Sequence, residues 1–412
     1  MVTIERENSP EQQGDVQHDL EYHWQLDPVT ASEVAQSISD IGVQHIHDLL
    51  DDIEQQPEAT LKRDENREEV RKIFSGESEK QLIILGPCSL DTDSNYTELF
   101  DYIETLQNEH PDVMFGVRLN GAKPRSSGGN TGLFPSTTPG KRQKQLDVYD
   151  DAYSRGLAIF TEVTDKDQFG VLAPYLTGAW MGARDMASTD LRTLFSATRM
   201  NVMVKNATDG RLKSLQDAVK AIGSSSKEND GSGVNLGYLA STCQHEDIGP
   251  AVFTVGEGNK NVALVARGYE LSPEEFDGDQ IKIKDVEELN DEEKLEREEM
   301  AFEYLGKVCM LAAKLNLVAL LDGSHEVPRM FSLDKKNENR FLAVLKKFRK
   351  GAREHRIKRV DRLRGYLGEV SVNNGSTDVN LVLTKETKSD LSAEVLEFKR
   401  LEGTIQSLGE PA

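Results

Sequence analysis

Cysteine is scarce in this chain. Three residues, Cys88, Cys243 and Cys309, are too few and too scattered among 412 for a disulfide framework. That points to a reducing compartment, the cytoplasm by default. Long apolar runs are missing as well: no stretch approaches the roughly 18 residues a membrane helix needs, and the first 19 residues, polar and acidic, carry no signal-peptide core. Positive charge is in deficit. Lysine and arginine total 49 against 71 aspartates and glutamates, a formal net charge of −22, which argues against nucleic acid and anionic membranes as partners. The phosphate-binding signatures G-x-x-x-x-G-K-[ST] and G-x-G-x-x-G do not occur, nor does any internal repeat.

What is present is a rhythm. Residues 1 to about 20 are expected to be disordered, and helical spacing at Val34, Ile38, Ile41, Ile46, Leu49 and Ile53 follows, divided at Gly42. A further helix over 63–74 completes an N-terminal extension, 1–75. From residue 76 to 412, short apolar strands are expected at 82–85, 113–117, 157–161, 179–182, 202–204, 262–266, 317–321 and, most weakly signalled, 366–368. Helical stretches at 94–108, 166–172, 189–196, 212–222 and 340–355 alternate with them. Eight such units predict parallel βαβ pairing, a (β/α)8 barrel (a TIM barrel), with a doubly wound sheet as the alternative. Two stretches interrupt the rhythm around the sixth strand: an extra strand at 234–239 before it, and after it a strongly acidic insertion at 270–299 leading into a helix over 300–315. An amphipathic helix at 392–408 is expected to close the bottom of the barrel.

In a (β/α)8 barrel the reactive groups stand at the C-terminal ends of the strands. Here those positions hold Cys88, Arg118 with Lys123 and Arg125, Glu162, Arg184, Lys205, Arg267, His325 and Glu369. Six of these are cations, more than one phosphate needs and suited to two phosphorylated ligands or a phosphate with a carboxylate. The loop Lys123-Pro124-Arg125-Ser126-Ser127 adds hydroxyls and a turn stiffened by Pro124. Cys88, His325, Glu369 and one further carboxylate make a mixed S/N/O set for a divalent transition metal. A metal able to polarise a carbonyl beside an anion-rich pocket fits either an aldol-type condensation or a phosphoryl transfer. Without a Walker or kinase loop, condensation is favoured.

Seven motifs fall in order along the chain: Gly86-Pro87-Cys88-Ser89, Arg118 with Lys123-Pro124-Arg125-Ser126-Ser127, Gly182-Ala183-Arg184, Lys205-Asn206-Ala207-Thr208-Asp209-Gly210, Arg267-Gly268, Asp322-Gly323-Ser324-His325, and Glu369. Over about 63–398 the chain resembles the type I 3-deoxy-7-phosphoheptulonate (DAHP) synthases, which condense phosphoenolpyruvate with erythrose 4-phosphate at the head of the shikimate pathway. The resemblance implies a divalent metal (Mn, Fe, Co or Zn) held by Cys88, His325, Glu369 and Asp378, the last by an alignment that shortens a loop; the rival alignment places Lys385 there. It implies Arg118, Lys123, Arg184, Lys205 and Arg267 around phosphoenolpyruvate, and Arg125 with Ser126 on the aldose phosphate. Lys123 becomes the proton donor, with Arg118 and Glu162 beside it in the catalytic group. A homo-oligomer, dimer or tetramer, is also implied.

Departures from the family pattern mark a divergent member: Gly129-Asn130-Thr131-Gly132, Asp185-Met186 after Arg184, Tyr269 after Gly268, and Glu326-Val327 after His325. They bear on the acceptor sugar and on subunit contacts. A related synthase for arabinose 5-phosphate carries Asn where this chain has Pro124, so a four-carbon acceptor is expected. The alternatives are another aldose phosphate, or a non-catalytic barrel with a binding or regulatory role.

Overall fold

The structure, a computed structural model, describes residues 56–91, 94–121, 139–164, 166–183, 185–196, 198–207, 210–224, 258–268, 276–277, 280–281, 288–323, 340–354, 359–370, 383–393 and 395. Eight parallel strands close on themselves: β1 (Gln81–Gly86), β2 (Val113–Arg118), β3 (Ala158–Val163), β4 (Gly178–Met181), β5 (Asn201–Lys205), β6 (Val262–Ala266), β9 (Ala319–Asp322) and β10 (Leu363–Glu369). Each pairs with the next in that order, and β10 returns to β1 with Gly86 level with Glu369. Closure leaves no sheet edge and rules out the open doubly wound alternative.

Alternation along the strands separates two apolar layers. Inside the barrel lie Leu82, Ile84, Met114, Phe160, Trp180, Met203, Val265, Leu320 and Leu367. The intervening residues, such as Ile83, Phe115, Ile159, Val204, Leu264 and Leu321, face outward into the helical shell. The floor of the barrel is plugged by α1 (Pro57–Ser75), whose Val70, Ile73 and Phe74 join the interior cluster. Arg67 ties this helix to the carbonyls of Leu176 and Ala173, and Asn201 on β5 donates to the Arg67 carbonyl. Pro57 at the first turn starts the helix six residues before the expected 63.

Helices α2 (Thr97–Glu109), α3 (Pro139–Ser154), α4 (Lys166–Leu172), α5 (Thr189–Ser196), α6 (Leu212–Gly223), α7 (Asp291–Leu315) and α8 (Arg340–Arg353) fill the connections. Two of them depart from expectation. The polar stretch 139–154 carries no strong apolar stripe, yet Leu146, Tyr149 and Tyr153 at helical spacing are buried, and the segment is α3. The helix expected over 300–315 begins at Asp291 instead. Asn290 accepts from the Glu293 backbone N–H while the Glu293 side chain accepts from Asn290, a capping box, and three acidic residues in the first turn suit the helix dipole. Part of what reads as a solvated acidic insertion is thus the start of a 25-residue helix. Upstream, β7 (Phe276–Asp277) and β8 (Gln280–Ile281) form an antiparallel hairpin. The expected extra strand at 234–239 and the helical stretch before residue 54 lie outside the described residues. The C-terminal helix is seen at 385–393, earlier than the expected 392–408, the rest of which is almost wholly outside them.

Candidate active site

On six strands, the position two residues beyond the last interior apolar or small residue is ionisable: Gly116 leads to Arg118, Phe160 to Glu162, Met203 to Lys205, Val265 to Arg267, Leu320 to Asp322 and Leu367 to Glu369. The same alternation that builds the core therefore stacks a charged layer on top of it, at the C-terminal mouth where barrel chemistry occurs. Three cations and three carboxylates share that layer. All but Arg267, which is half-buried, are buried.

The charges are paired across the barrel. Arg118 Nη2 donates to Glu369 Oε1 at 2.8 Å and to the Cys88 carbonyl at 3.3 Å. Lys205 Nζ lies 2.8 Å from Asp322 Oδ2. Burial would lower the Arg118 pKa, but Glu369, Cys88, Asp322 and Glu162 together raise it. Burial would likewise raise the Asp322 carboxyl; Lys205, Arg267 and Arg118 outweigh it and hold the group well below the usual carboxylate range. Both groups are therefore ionised across the physiological range. Trp180 lies beneath, its Nε1–H donating to Glu162 Oε2 at 3.1 Å.

Two asparagines fasten the strand ends. Asn120 donates to the Cys88 carbonyl at 2.8 Å and accepts from the Glu162 backbone N–H at 3.0 Å, linking the mouths of β1, β2 and β3. Asn206 donates to the Arg267 carbonyl and accepts from its backbone N–H, each at 2.6 Å, linking β5 to β6. From outside, the Tyr149 hydroxyl of α3 donates to the Leu119 carbonyl and the Tyr304 hydroxyl of α7 donates to the Gly210 carbonyl. Two glycines are required by close approach: a Cβ at Gly86 would meet the Arg118 backbone, and one at Gly182 would fall on the Glu162 carboxylate.

Of the residues expected at the site, the structure brings together Cys88, Arg118, Glu162, Lys205, Arg267 and Glu369. Lys123, Arg125, Ser126, Arg184, His325 and Asp378 lie outside the described residues. Asp322, Asn120, Asn206 and Trp180 belong to the site and were not singled out as members from the sequence. Asp322 and Asn206 stood inside motifs without a role, because their partners are distant in sequence: Lys205 for Asp322 and Arg267, 61 residues away, for Asn206.

Could these residues hold a metal? Cys88, just beyond β1, and Glu369, ending the neighbouring β10, are both buried and both act on Arg118, so a thiol and a carboxylate converge on one side of the mouth. Among the described residues no group of three or more potential ligands forms. A soft thiolate and a hard carboxylate together fit a borderline divalent transition metal. An anion fits: Arg267 Nε is buried without a hydrogen-bond partner among the described residues, and a guanidinium N–H in that position is a strong donor to an anionic oxygen.

Comparison with known proteins agrees with this geometry. A tyrosine-inhibited phospho-2-dehydro-3-deoxyheptonate aldolase from Schizosaccharomyces pombe (strain 972) is 26% identical over 237 residues, 55% of this chain and 59% of that protein. The Trp-sensitive enzyme of the same name from Escherichia coli (strain K12) is 27% identical over 165 residues, 38% of this chain and 47% of that protein. The chain thus spans about half the length of the curated relatives it matches. The solved structure of a phospho-2-dehydro-3-deoxyheptonate aldolase from Francisella tularensis SCHU S4 superposes over 92% of this chain and 99% of its own with a TM-score of 0.55 at 19% identity, a likeness of fold. The family model for the DAHP synthetase I family matches residues 53–297, more than half of the 412, and the chain belongs to that family.

Proposed function

We propose that this protein is a metal-dependent synthase that condenses phosphoenolpyruvate with erythrose 4-phosphate, giving 3-deoxy-D-arabino-heptulosonate 7-phosphate and inorganic phosphate. The observation that carries the reading is the charged layer itself. Three buried or half-buried cations, Arg118, Lys205 and Arg267, converge at the barrel mouth of a protein whose net charge is −22. Desolvated guanidinium and ammonium groups are costly to keep in place, and their convergence suits a small dianion or trianion. The relatives' names supply the reaction class.

In this reading Arg118, Lys205 and Arg267 take the phosphate and carboxylate of phosphoenolpyruvate, with Lys123 and Arg184 completing the set. Arg125 and Ser126 take the phosphate of the aldose. Cys88 and Glu369, with His325 and Asp378, hold a divalent Mn, Fe, Co or Zn ion, which when bound supplies Lewis-acid polarisation of the aldehyde. Lys123 delivers a proton to the aldehyde oxygen as C3 of phosphoenolpyruvate attacks the aldehyde carbon. Glu162, fixed by the Trp180 indole N–H, takes the proton from the water that adds at C2. The C2–O bond to phosphate then breaks as the C2 hydroxyl becomes the ketone carbonyl, its proton passing to the departing oxygen so that phosphate leaves as the hydrogen phosphate dianion, which Arg118 and Lys205 steady.

Orientation is the main contribution of the described residues. Asp322 and Glu369 hold the Lys205 and Arg118 side chains at 2.8 Å before substrate arrives, so little rotamer entropy remains to be lost on binding. The test is release of inorganic phosphate that requires both substrates and the metal. Comparison of erythrose 4-phosphate with arabinose 5-phosphate separates the four-carbon acceptor from the five-carbon one, and absence of turnover with either identifies a binding barrel. Size analysis in solution checks the homo-oligomer, expected to be a dimer or tetramer.

A further inference from the structure

We propose that Trp180 is the positioning residue for two of the site's buried cations and for Glu162, an assignment that rests on the phosphoenolpyruvate reading above. Trp180 is the largest fully buried side chain among the described residues and stands inside the barrel. The Arg118 guanidinium carbon lies 5.5 Å from the centroid of its ring, and Lys205 Nζ lies 5.2 Å from it. Both distances are within cation–π range, and an indole is the strongest aromatic partner for a cation. On its polar edge the same ring donates to Glu162 Oε2 at 3.1 Å. Strand register supports this placement, because Trp180 is level with Glu162 on one side and Met203 on the other. One side chain on β4 thus reaches an ionisable group on each of β2, β3 and β5.

The chemistry of the indole suits that position as no other apolar residue would. Two cations close together in a poorly solvated layer repel. Glu369 and Asp322 already pair with one cation each, and a further carboxylate would cancel more of the charge an anion needs. The ring attracts both cations without adding negative charge to the layer. The N–H edge, meanwhile, keeps the Glu162 carboxylate in one rotamer. A leucine could fill the volume but could do neither; a phenylalanine offers the face without the donor.

The experiment uses the full chain with its metal and compares wild type, Trp180→Phe and Trp180→Leu by calorimetric titration with phosphoenolpyruvate and by steady-state kinetics. Trp180→Phe should keep the phosphoenolpyruvate Kd and KM within a few-fold and lower kcat roughly tenfold through Glu162. Trp180→Leu should weaken phosphoenolpyruvate binding roughly five- to thirty-fold. If Trp180→Leu does not fold, the KM-against-kcat split of Trp180→Phe decides, together with a spectroscopic reading. The chain has two tryptophans, so Trp24→Phe leaves Trp180 as the single tryptophan, excited selectively over the ten tyrosines at the red edge of its absorption. Its fluorescence should then change saturably with phosphoenolpyruvate, at the Kd found by calorimetry. A ring that only fills space would lower the melting temperature in the variants, leave Kd, KM and kcat alone, and give no fluorescence response; that pattern overturns the proposal. If wild type binds no phosphoenolpyruvate, the proposed function fails and this inference with it. Wild-type binding matched by unchanged variants sinks the inference alone.

Discussion

Asp322 shows how much of a residue's role depends on contacts that sequence does not display. In the chain it stands in the motif Asp322-Gly323-Ser324-His325 with no role of its own. In the fold it is fully buried, paired with Lys205 from a strand 117 residues away, and held ionised by Lys205, Arg267 and Arg118 against the cost of its own burial. A carboxyl whose folded pKa is depressed adds stability above its unfolded pKa of about 4, and that contribution is lost as pH falls toward the folded value. Acid unfolding of wild type should therefore steepen below about pH 4 relative to Asp322→Asn, followed by circular dichroism; coincident acid limbs would show that the pair is not coupled to folding. Near neutral pH, Asp322→Ala leaves Lys205 buried and uncompensated and should cost about 3–5 kcal/mol in urea unfolding. Cys88 was singled out from the sequence as the residue after Gly-Pro at the end of the first strand, with a small buried apolar residue as the plain alternative. Cys88→Ala should lower bound divalent metal and turnover together, and full retention of both would remove it from the ligand set.

At the scale of elements, strands were easier to read than helices. Continuous apolar runs such as Leu82 to Leu85 and Val262 to Ala266 fit a parallel sheet covered on both faces, and closure of the sheet is what distinguishes the barrel from the doubly wound alternative. β10 was the exception. Arg364 and two glycines dilute its apolar run, and only closure against β1 and β9 extends it to seven residues. Helix α3 was missed because its buried residues, among them Leu146, Val148, Tyr149, Ala152 and Tyr153, are interleaved with charges, a pattern that packing against β3 rewards but composition does not advertise. The early start of α7 has a local signature, Asn290 with Glu293, that the surrounding acidic run conceals. Asn290→Ala should cost about 0.5–2 kcal/mol through loss of the capping box, read as a lower melting temperature with the phosphoenolpyruvate KM unchanged. An unaltered melting temperature would mean that the helix start is held by other contacts.

For the whole molecule, the charged layer and the apolar layers are one construction. Strand alternation places ionisable groups at the mouth, and α1 seals the opposite end with Val70, Ile73 and Phe74. Phe74 is 1% exposed, so Phe74→Asp would put a charge into the barrel floor and should abolish cooperative unfolding or soluble expression; a variant that melts like wild type would show that the floor is not closed by this helix. The excess negative charge acts on the same scale. With 71 acidic residues against 49 basic ones, self-repulsion opposes the compact state, and raising salt from about 0.01 to 1 M shortens the screening length from roughly 30 to 3 Å. The melting temperature should rise over that range, whereas a flat or falling one would show that attractive pairs dominate.

The central claim is that the barrel mouth binds phosphoenolpyruvate and spends its phosphate in a condensation. Inorganic phosphate released by the purified, metal-loaded protein tests it directly, with phosphoenolpyruvate and erythrose 4-phosphate supplied singly and together. The expected result is stoichiometric release only when both substrates and metal are present, abolished by a chelator and reduced by orders of magnitude in Lys205→Ala. Release from phosphoenolpyruvate alone would mean a hydrolase, and no release with any aldose phosphate would mean that the charged layer serves binding without chemistry; either would contradict the assignment.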